Sequence, residues 1–184
     1  MSGLDHLVIA ARTVEEGARW VEERLGAPTV AGGKHALMGT HNRLLSLGKD
    51  RYLEVIAIDP QAPAPARARW FDLDSPAMRE RLEKGPALIH WVERTEDIEA
   101  ALRGRAAAID IISAARGPYR WRIGVPRDGS RPCAGAEPTF IQWEGGRHPA
   151  RDLPASGCEL TAFEHAGERL GATFSTPLGM RRIS

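Results

Sequence analysis

The chain has 184 residues, 42% of them apolar, which is enough for one domain with a real core and argues against wholesale disorder. A formal net charge of +1 excludes an overall field drawing the protein to nucleic acid or an anionic membrane. Cys133 and Cys158 form no CxxC pair and fit a reducing compartment better than a disulfide framework. No apolar run approaches the roughly 20 residues that span a bilayer, and MSGLDHLVIAAR has neither a basic start nor a long apolar stretch. The expectation is a cytoplasmic globular protein with no nucleic-acid or membrane partner.

Leu4–Ala11 (LDHLVIAA) reads as a buried strand. Thr13 is the expected N-cap of a helix reaching Leu25, with Glu16 completing a capping box and Gly26 ending it. Strand-like pieces follow around Thr29–Ala31, at Asn42–Leu47 and at Arg51–Ile58, the last two joined by a turn at Gly48–Lys49–Asp50. Pro60–Pro65 (PQAPAP) is a stiff connector, and Ser75–Lys84 a short helix. The pattern then restarts. Ala87–Val92 (ALIHWV) is a strand, Thr95 a cap, and a helix runs through Ile98, Ala101 and Leu102. Ile109–Ser113, Tyr119–Val125 and Pro138–Glu144 are strands, with a Gly/Pro-rich loop at Arg127–Glu137. Cys158–Ala166 adds one more strand, and Gly171–Ser184 reads as irregular and loosely held.

Strand, helix and three strands thus occur twice. Aligning LDHLV on LIHWV sets His6 over His90, and aligning YLEVI on FIQWE sets Glu54 over Gln142. The spacings are 48 and 52 residues. Alternation along a strand puts His6 with Leu4 and Val8, His90 with Leu88 and Val92, and Glu54 with Tyr52 and Ile56. A polar group among apolar neighbours on one face needs a partner there. The opposite face, carrying Leu53, Val55, Ile89 and Trp91, is expected to take the helices.

With a His on each first strand and Glu or Gln on each last strand, the chain resembles the vicinal oxygen chelate superfamily, and more narrowly its glyoxalase-like domain proteins. LDHLVIAA, GGKHALMGTHNRLL, YLEVIAIDP and the following RWF carry the likeness. It implies an α+β fold in which two βαβββ modules form paired curled mixed sheets around a shared cleft. Module one would span 1–59, a linker 60–85, module two 86–146 and a C-terminal extension 147–184. The resemblance also implies a divalent metal held by His6, Glu54, His90 and Gln142. Two imidazoles, a carboxylate and an amide oxygen suit Fe(II), Mn, Ni, Co or Zn. Such a site serves a metal-assisted lyase, isomerase or dioxygenase acting on a small-molecule substrate with adjacent oxygens. Gln142 departs from the pattern, because an amide is the weaker ligand. Superfamily members include metal-free binding or sequestering proteins, and many dimerise, so both a binding protein and a homodimer stay open. The plainest alternative makes His6 and His90 core histidines bonded to Glu54 and Gln142.

GGKHALMGTHN (Gly32–Asn42) matches no phosphate-loop pattern and does not lead from strand into helix. It is expected at the cleft's mouth, with His35 and His41 as acid–base groups and Lys34, Thr40 and Asn42 touching substrate. Arg120 and Arg122 share a strand face and are expected either in the cleft, as carboxylate binders, or in solvent. Trp70 and Phe71 either anchor the linker or wall the pocket. His148 and His165 lie outside the repeat and receive no role.

Overall fold

The computed structural model describes residues 3–48, 50–105 and 108–184. Lys49, in the expected hairpin turn, lies outside the described residues. The first copy comprises β1 (Gly3–Ala10), α1 (Val14–Leu25), β2 (Val30–His35), β3 (Thr40–Ser46) and β4 (Tyr52–Ile58). After α2 (Pro76–Glu83), the second comprises β5 (Ala87–Arg94), α3 (Ile98–Leu102), β6 (Ile109–Arg116), β7 (Tyr119–Pro126) and β8 (Thr139–Glu144). A short α4 (Pro149–Asp152) leads to β9 (Glu159–Ala166), β10 (Arg169–Thr176) and β11 (Gly179–Ile183).

Local chemistry sets the helix ends. The Thr13 hydroxyl accepts from the Glu16 amide, and Gly26 takes the left-handed conformation that stops α1. Ser75 caps α2 in the same way. In the second copy the cap is Asp97, which accepts from Ala100, rather than the expected Thr95.

The two copies build one continuous eight-stranded sheet, ordered β2-β3-β4-β1-β5-β8-β7-β6. Its two halves mirror each other about an antiparallel β1–β5 seam. The first and last strands of each copy pair in parallel. The sheet curls until its edges meet, where Arg116 of β6 reaches His35 and Asn42 of β2 and β3.

The seam carries two bulges. Leu4 pairs with Glu93 and His6 with Val92, leaving Asp5 as an extra residue in β1. Val8 pairs with His90 and Ile9 with Leu88, leaving Ile89 as an extra residue in β5. A bulge breaks strict alternation and re-aims side chains. Ile89 therefore joins the inner cluster with Val8, Ile56 and Val92, while Leu88 joins Trp91 on the outer one. The alternation expected for β5 fails there for that reason.

The outer face packs against Val21 and Leu25 of α1. α3 lies over β7 and β8 of the second half, where Leu102 sits against Gly124 and the Ile98 amide bonds Gln142. A separate antiparallel sheet, β11-β10-β9, packs beside α1 against Leu7, Leu53, Leu88 and Trp91 with Leu160, Leu170 and Phe174. Trp91 lies against Phe163 and His165 of β9. The expected loose tail is thus corrected. Gly171–Ser184 contributes two strands, and Phe174 is 1% exposed.

The linker is no passive spacer either. Trp70, Phe71 and Leu73, with Met78 and Leu82 of α2, pack onto Ile89, Val92, Ile123 and Val125. They fill the concave side of the second copy. Among the described residues no helix is long and apolar enough to cross a membrane.

Phe174→Ala should cost about 3–5 kcal/mol, read from urea denaturation. A change below about 1 kcal/mol would show that the C-terminal sheet is not part of the core.

Candidate functional site

The β1 bulge lets consecutive side chains meet. Asp5 is fully buried, and its Oδ1 accepts from His6 Nδ1 at 2.7 Å. Its Oδ2 accepts from Trp143 Nε1 and from His148 Nε2, each at 2.9 Å. His148 Nδ1 in turn accepts from the Ala150 amide, so His148 carries its proton on Nε2. Burial by itself raises the Asp5 pKa, but the bonds from His148 and His6 outweigh it and hold the carboxyl below the usual range. Asp5 is therefore ionised and fixes the His6 proton on Nδ1. That leaves His6 Nε2 turned toward Glu54 Oε2, 3.7 Å away. The imidazole stacks on Tyr52, whose phenol pKa burial raises, with the Asp5 and Glu54 charges adding to it.

Glu54 stands on β4, and its other oxygen accepts from Asn42 Nδ2 at 2.5 Å. Asn42 Oδ1 accepts from Arg116 at 3.0 Å, which fixes the amide orientation. The same Arg116 nitrogen lies 3.3 Å from His35 Nε2, so that nitrogen must be an acceptor. His35 Nδ1–H then donates to the Thr40 hydroxyl at 3.0 Å. Burial first, then the Arg116, His6 and His41 charges, push the His35 pKa down to about 3. His35 is neutral at physiological pH.

Two glycines make this packing possible. A Cβ on Gly32 would stand 2.0 Å from Asn42 Oδ1, and one on Gly33 would stand 2.5 Å from the Arg116 side chain. The paired glycines of GGKHALMGTHN therefore serve close approach. Most of that segment is strand; only Ala36–Gly39 turns between β2 and β3.

Around these groups lies a narrow cleft walled by Trp70, Phe71, Trp121, Ile123, Ile141 and Trp143. Its free volume of about 30 Å³ is room for one or two waters.

The second copy repeats the backbone without the chemistry. Val8, two residues beyond His6, pairs with Glu54. Val92, two residues beyond His90, pairs with Thr139. The structural counterpart of Glu54 is therefore Thr139, not Gln142. The extra bulge residue is Ile89 where the first copy has Asp5. His90 Nε2 lies 3.0 Å from the Thr139 hydroxyl, and its buried Nδ1 has no partner among the described residues. Phe71 packs against the ring, with centroids 5.4 Å apart. Burial first, then the Arg131 and His6 charges, hold the His90 pKa down to about 3.

The four expected metal positions do not converge. Gln142 turns to the outer side, where its Oε1 accepts from the Ile98 amide. His90 is sealed behind Phe71. Superfamily members commonly use divalent metals, but one imidazole nitrogen and one carboxylate oxygen beside a guanidinium fall short of the three protein ligands usual for such a centre. Among the described residues no cluster of three or more His, Cys, Asp or Glu groups suited to a metal occurs.

Of the expected substrate and catalytic residues, His35, Thr40 and Asn42 face the inner side. His41 does not. It lies in a separate groove with Lys34, Asp59 and Arg12, because alternation along β3 turns it away from Thr40 and Asn42. Lys34 is exposed and pairs with Asp59 at 2.8 Å. Arg120 and Arg122 lie outside as well, since Trp121 and Ile123 take the inner positions of β7; Arg122 pairs with Glu99. Trp70 and Phe71 both anchor the linker and wall the cleft. Asp5, Arg116, Trp143 and His148 escaped the sequence reading. Asp5 had a signal, a lone carboxylate in an apolar strand, and His148 had none.

The glyoxalase-like domain family model matches residues 4–176. The chain belongs to the glyoxalase-like domain family. This places it in the vicinal oxygen chelate superfamily. No curated protein matches it significantly. Among solved structures, a hypothetical protein from Staphylococcus aureus is 13% identical with a TM-score of 0.61, over 100% of this chain and 86% of that one. A methylmalonyl-CoA epimerase in complex with methylmalonyl-CoA and NH4+ is 16% identical with a TM-score of 0.52, over 81% and 99%. The Streptomyces coelicolor methylmalonyl-CoA epimerase is also 16% identical, with a TM-score of 0.50 over 78% and 95%. At these identities the likeness concerns the fold.

The two buried neutral histidines predict acid sensitivity. His35 and His90 protonate near pH 6.5 when unfolded but only near pH 3 when folded. Below pH 6.5 the unfolded chain binds more protons. Stability present above that pH is lost as pH falls toward 3, by up to ~1.4 kcal/mol per pH unit for each histidine. Asp5 adds its own loss below about pH 3.8. The urea midpoint should drop measurably between pH 7 and pH 5. A flat midpoint over that range would contradict the buried, neutral state.

Proposed function

We propose that this glyoxalase-like protein is a small-molecule enzyme that moves a proton on a substrate carrying neighbouring oxygens, as a lyase or isomerase does. One observation carries the reading: Asp5 orients His6 so that its Nε2 faces Glu54 Oε2 across 3.7 Å in an aromatic-walled cleft. Both atoms are acceptors in this arrangement, so a donor seated alongside the pair can give its hydrogen to either. A C–H acidified by an adjacent carbonyl, or a substrate hydroxyl, is such a donor. Glu54 or His6 takes the proton, shares it in a hydrogen bond with the other member of the pair, and returns it to the substrate. Asp5 acts as the orienting carboxylate of a histidine dyad, fixing the tautomer and stabilising an imidazolium when it forms. Asn42 holds the Glu54 oxygen that points away from His6. The one or two waters the cleft can hold let the abstracted proton exchange with solvent.

The metal-assisted lyase, isomerase or dioxygenase is the second reading. It is favoured by the superfamily's habits and by the same two facing atoms. Metal analysis of protein purified without chelators, and melting temperature with Mn, Co, Ni or Zn added, separate the two readings. The acid–base reading expects proton exchange to survive dialysis against a chelator.

The test is proton exchange in D2O, followed by mass spectrometry, across a panel of 2-oxo acids, 2-hydroxy acids and short thioesters. Wild-type protein should deuterate at least one member at the carbon beside the carbonyl. Glu54→Gln should reduce the rate by about 100-fold or more with little change in melting temperature. His6→Ala should reduce it as far and also lower the melting temperature, because the buried Asp5 loses a donor. Asp5→Asn should also reduce the rate, through the wrong histidine tautomer. Undiminished exchange in Glu54→Gln and His6→Ala would sink the acid–base assignment.

A further inference from the structure

Arg116 stands out among the arginines of the inner side. Arg67 and Arg69 are half-buried, Arg131 is buried, and each has a carboxylate partner, in Asp110, Asp74 and Asp72. Arg116 lines the cleft, and its hydrogen-bonding neighbours, Asn42 and His35, are both neutral. Both contacts fall on a single terminal nitrogen. Among the described residues no carboxylate oxygen comes within ion-pair reach of the guanidinium, and its other nitrogens make no hydrogen bond. A cation in an aromatic-walled recess, with half of its donor fork unused, fits a planar anion such as a carboxylate.

What surrounds Arg116 limits the rest of the ligand. A second small cavity, of about 50 Å³, shares His35, Trp70 and Trp121 with the cleft, and its other lining residues include Leu37, Met38 and Ile112. Neither space holds more than a few waters. Apart from His6, His35, Asn42, Tyr52, Glu54 and Arg116, which gather at one end, their walls are apolar. Beyond Arg116 a short hydrocarbon chain meets Trp70, Trp121 and Ile112.

We propose that the cleft takes a small monocarboxylic acid with a short, unbranched apolar body. The carboxylate docks on Arg116, and the chain lies between Trp70 and Trp121. The assignment of the carbon beside the carboxylate to the His6–Glu54 pair rests on the acid–base reading; the binding assignment does not. Arg116 then has two tasks. It ties the sheet edges together through Asn42, and it reads the substrate's charge.

Isothermal titration with propionate and with its neutral isostere propanamide tests this. Wild-type protein should bind propionate about tenfold tighter or more, the margin of a charge-assisted hydrogen bond. In Arg116→Gln that preference should vanish, with acid falling to the level of amide. Arg116→Lys should keep a reduced preference. Equal binding of acid and amide by the wild type, binding of neither, or an undiminished preference in Arg116→Gln each overturns the proposal. The wild-type comparison decides the matter even if Arg116→Gln fails to fold. The two readings fail separately. Acid-selective binding without deuterium exchange removes the acid–base chemistry alone. Exchange on acids whose affinity ignores Arg116 removes the carboxylate anchor alone.

Discussion

A single buried carboxylate organises the working half of this molecule. Asp5 is completely enclosed, and an ionised carboxylate there is tolerable only because three donors surround it. Those donors come from three places: His6 next to it in β1, Trp143 of β8 and His148 in the link to α4. Satisfying one charge thus ties the first copy to the second and to the C-terminal extension. It also decides which nitrogen His6 presents to the cleft. The β1 bulge is the geometric condition for all of this, since in a regular strand consecutive side chains point to opposite faces.

The same bulge recurs at the matching place in β5, and the contrast between the copies is informative. With Ile89 in place of Asp5, His90 has no orienting carboxylate. With Thr139 in place of Glu54, it faces a hydroxyl rather than an anion. The linker then closes over it, so that its ring packs against Phe71. One half of a symmetric backbone keeps polar chemistry; the other has become packing. The concave surface is therefore shared unequally. The first copy supplies His6, Glu54, Asn42 and His35, the second Arg116, Trp121 and Trp143, and the linker Trp70 and Phe71.

Sequence reasoning recovered the repeat, the strand order within each copy, α1 with its caps, and the inward placement of His6, Glu54 and Asn42. These rest on alternation and capping, which act over a few residues. It misplaced Gln142 because the last strand of the second copy was aligned by its apolar look, whereas the pairing register matches Glu54 with Thr139. It misplaced Ile89 because a bulge has no reliable sequence mark. It put His41 beside His35 because a strand was read as a loop, and in a strand alternation separates Thr40 and Asn42 from His41. Arg116 was passed over for Arg120 and Arg122, although all three lie near one hairpin. Only the curl of the sheet brings Arg116 against β2 and β3.

By itself, the sequence determined that two similar α+β units share a core and that their first strands carry buried polar groups. Periodicity and burial are encoded locally, because each side chain must match the environment its face meets. The tertiary structure alone decided which polar groups meet. Asp5 with His148, Arg116 with Asn42 and Phe71 over His90 are contacts across long stretches of chain. They depend on register, on bulges and on the curvature that brings the sheet's edges together. GGKHALMGTHN shows both levels at once: its glycines announce a tight place in the sequence, and the fold reveals that what presses against them is the side chain of Asn42 and of Arg116.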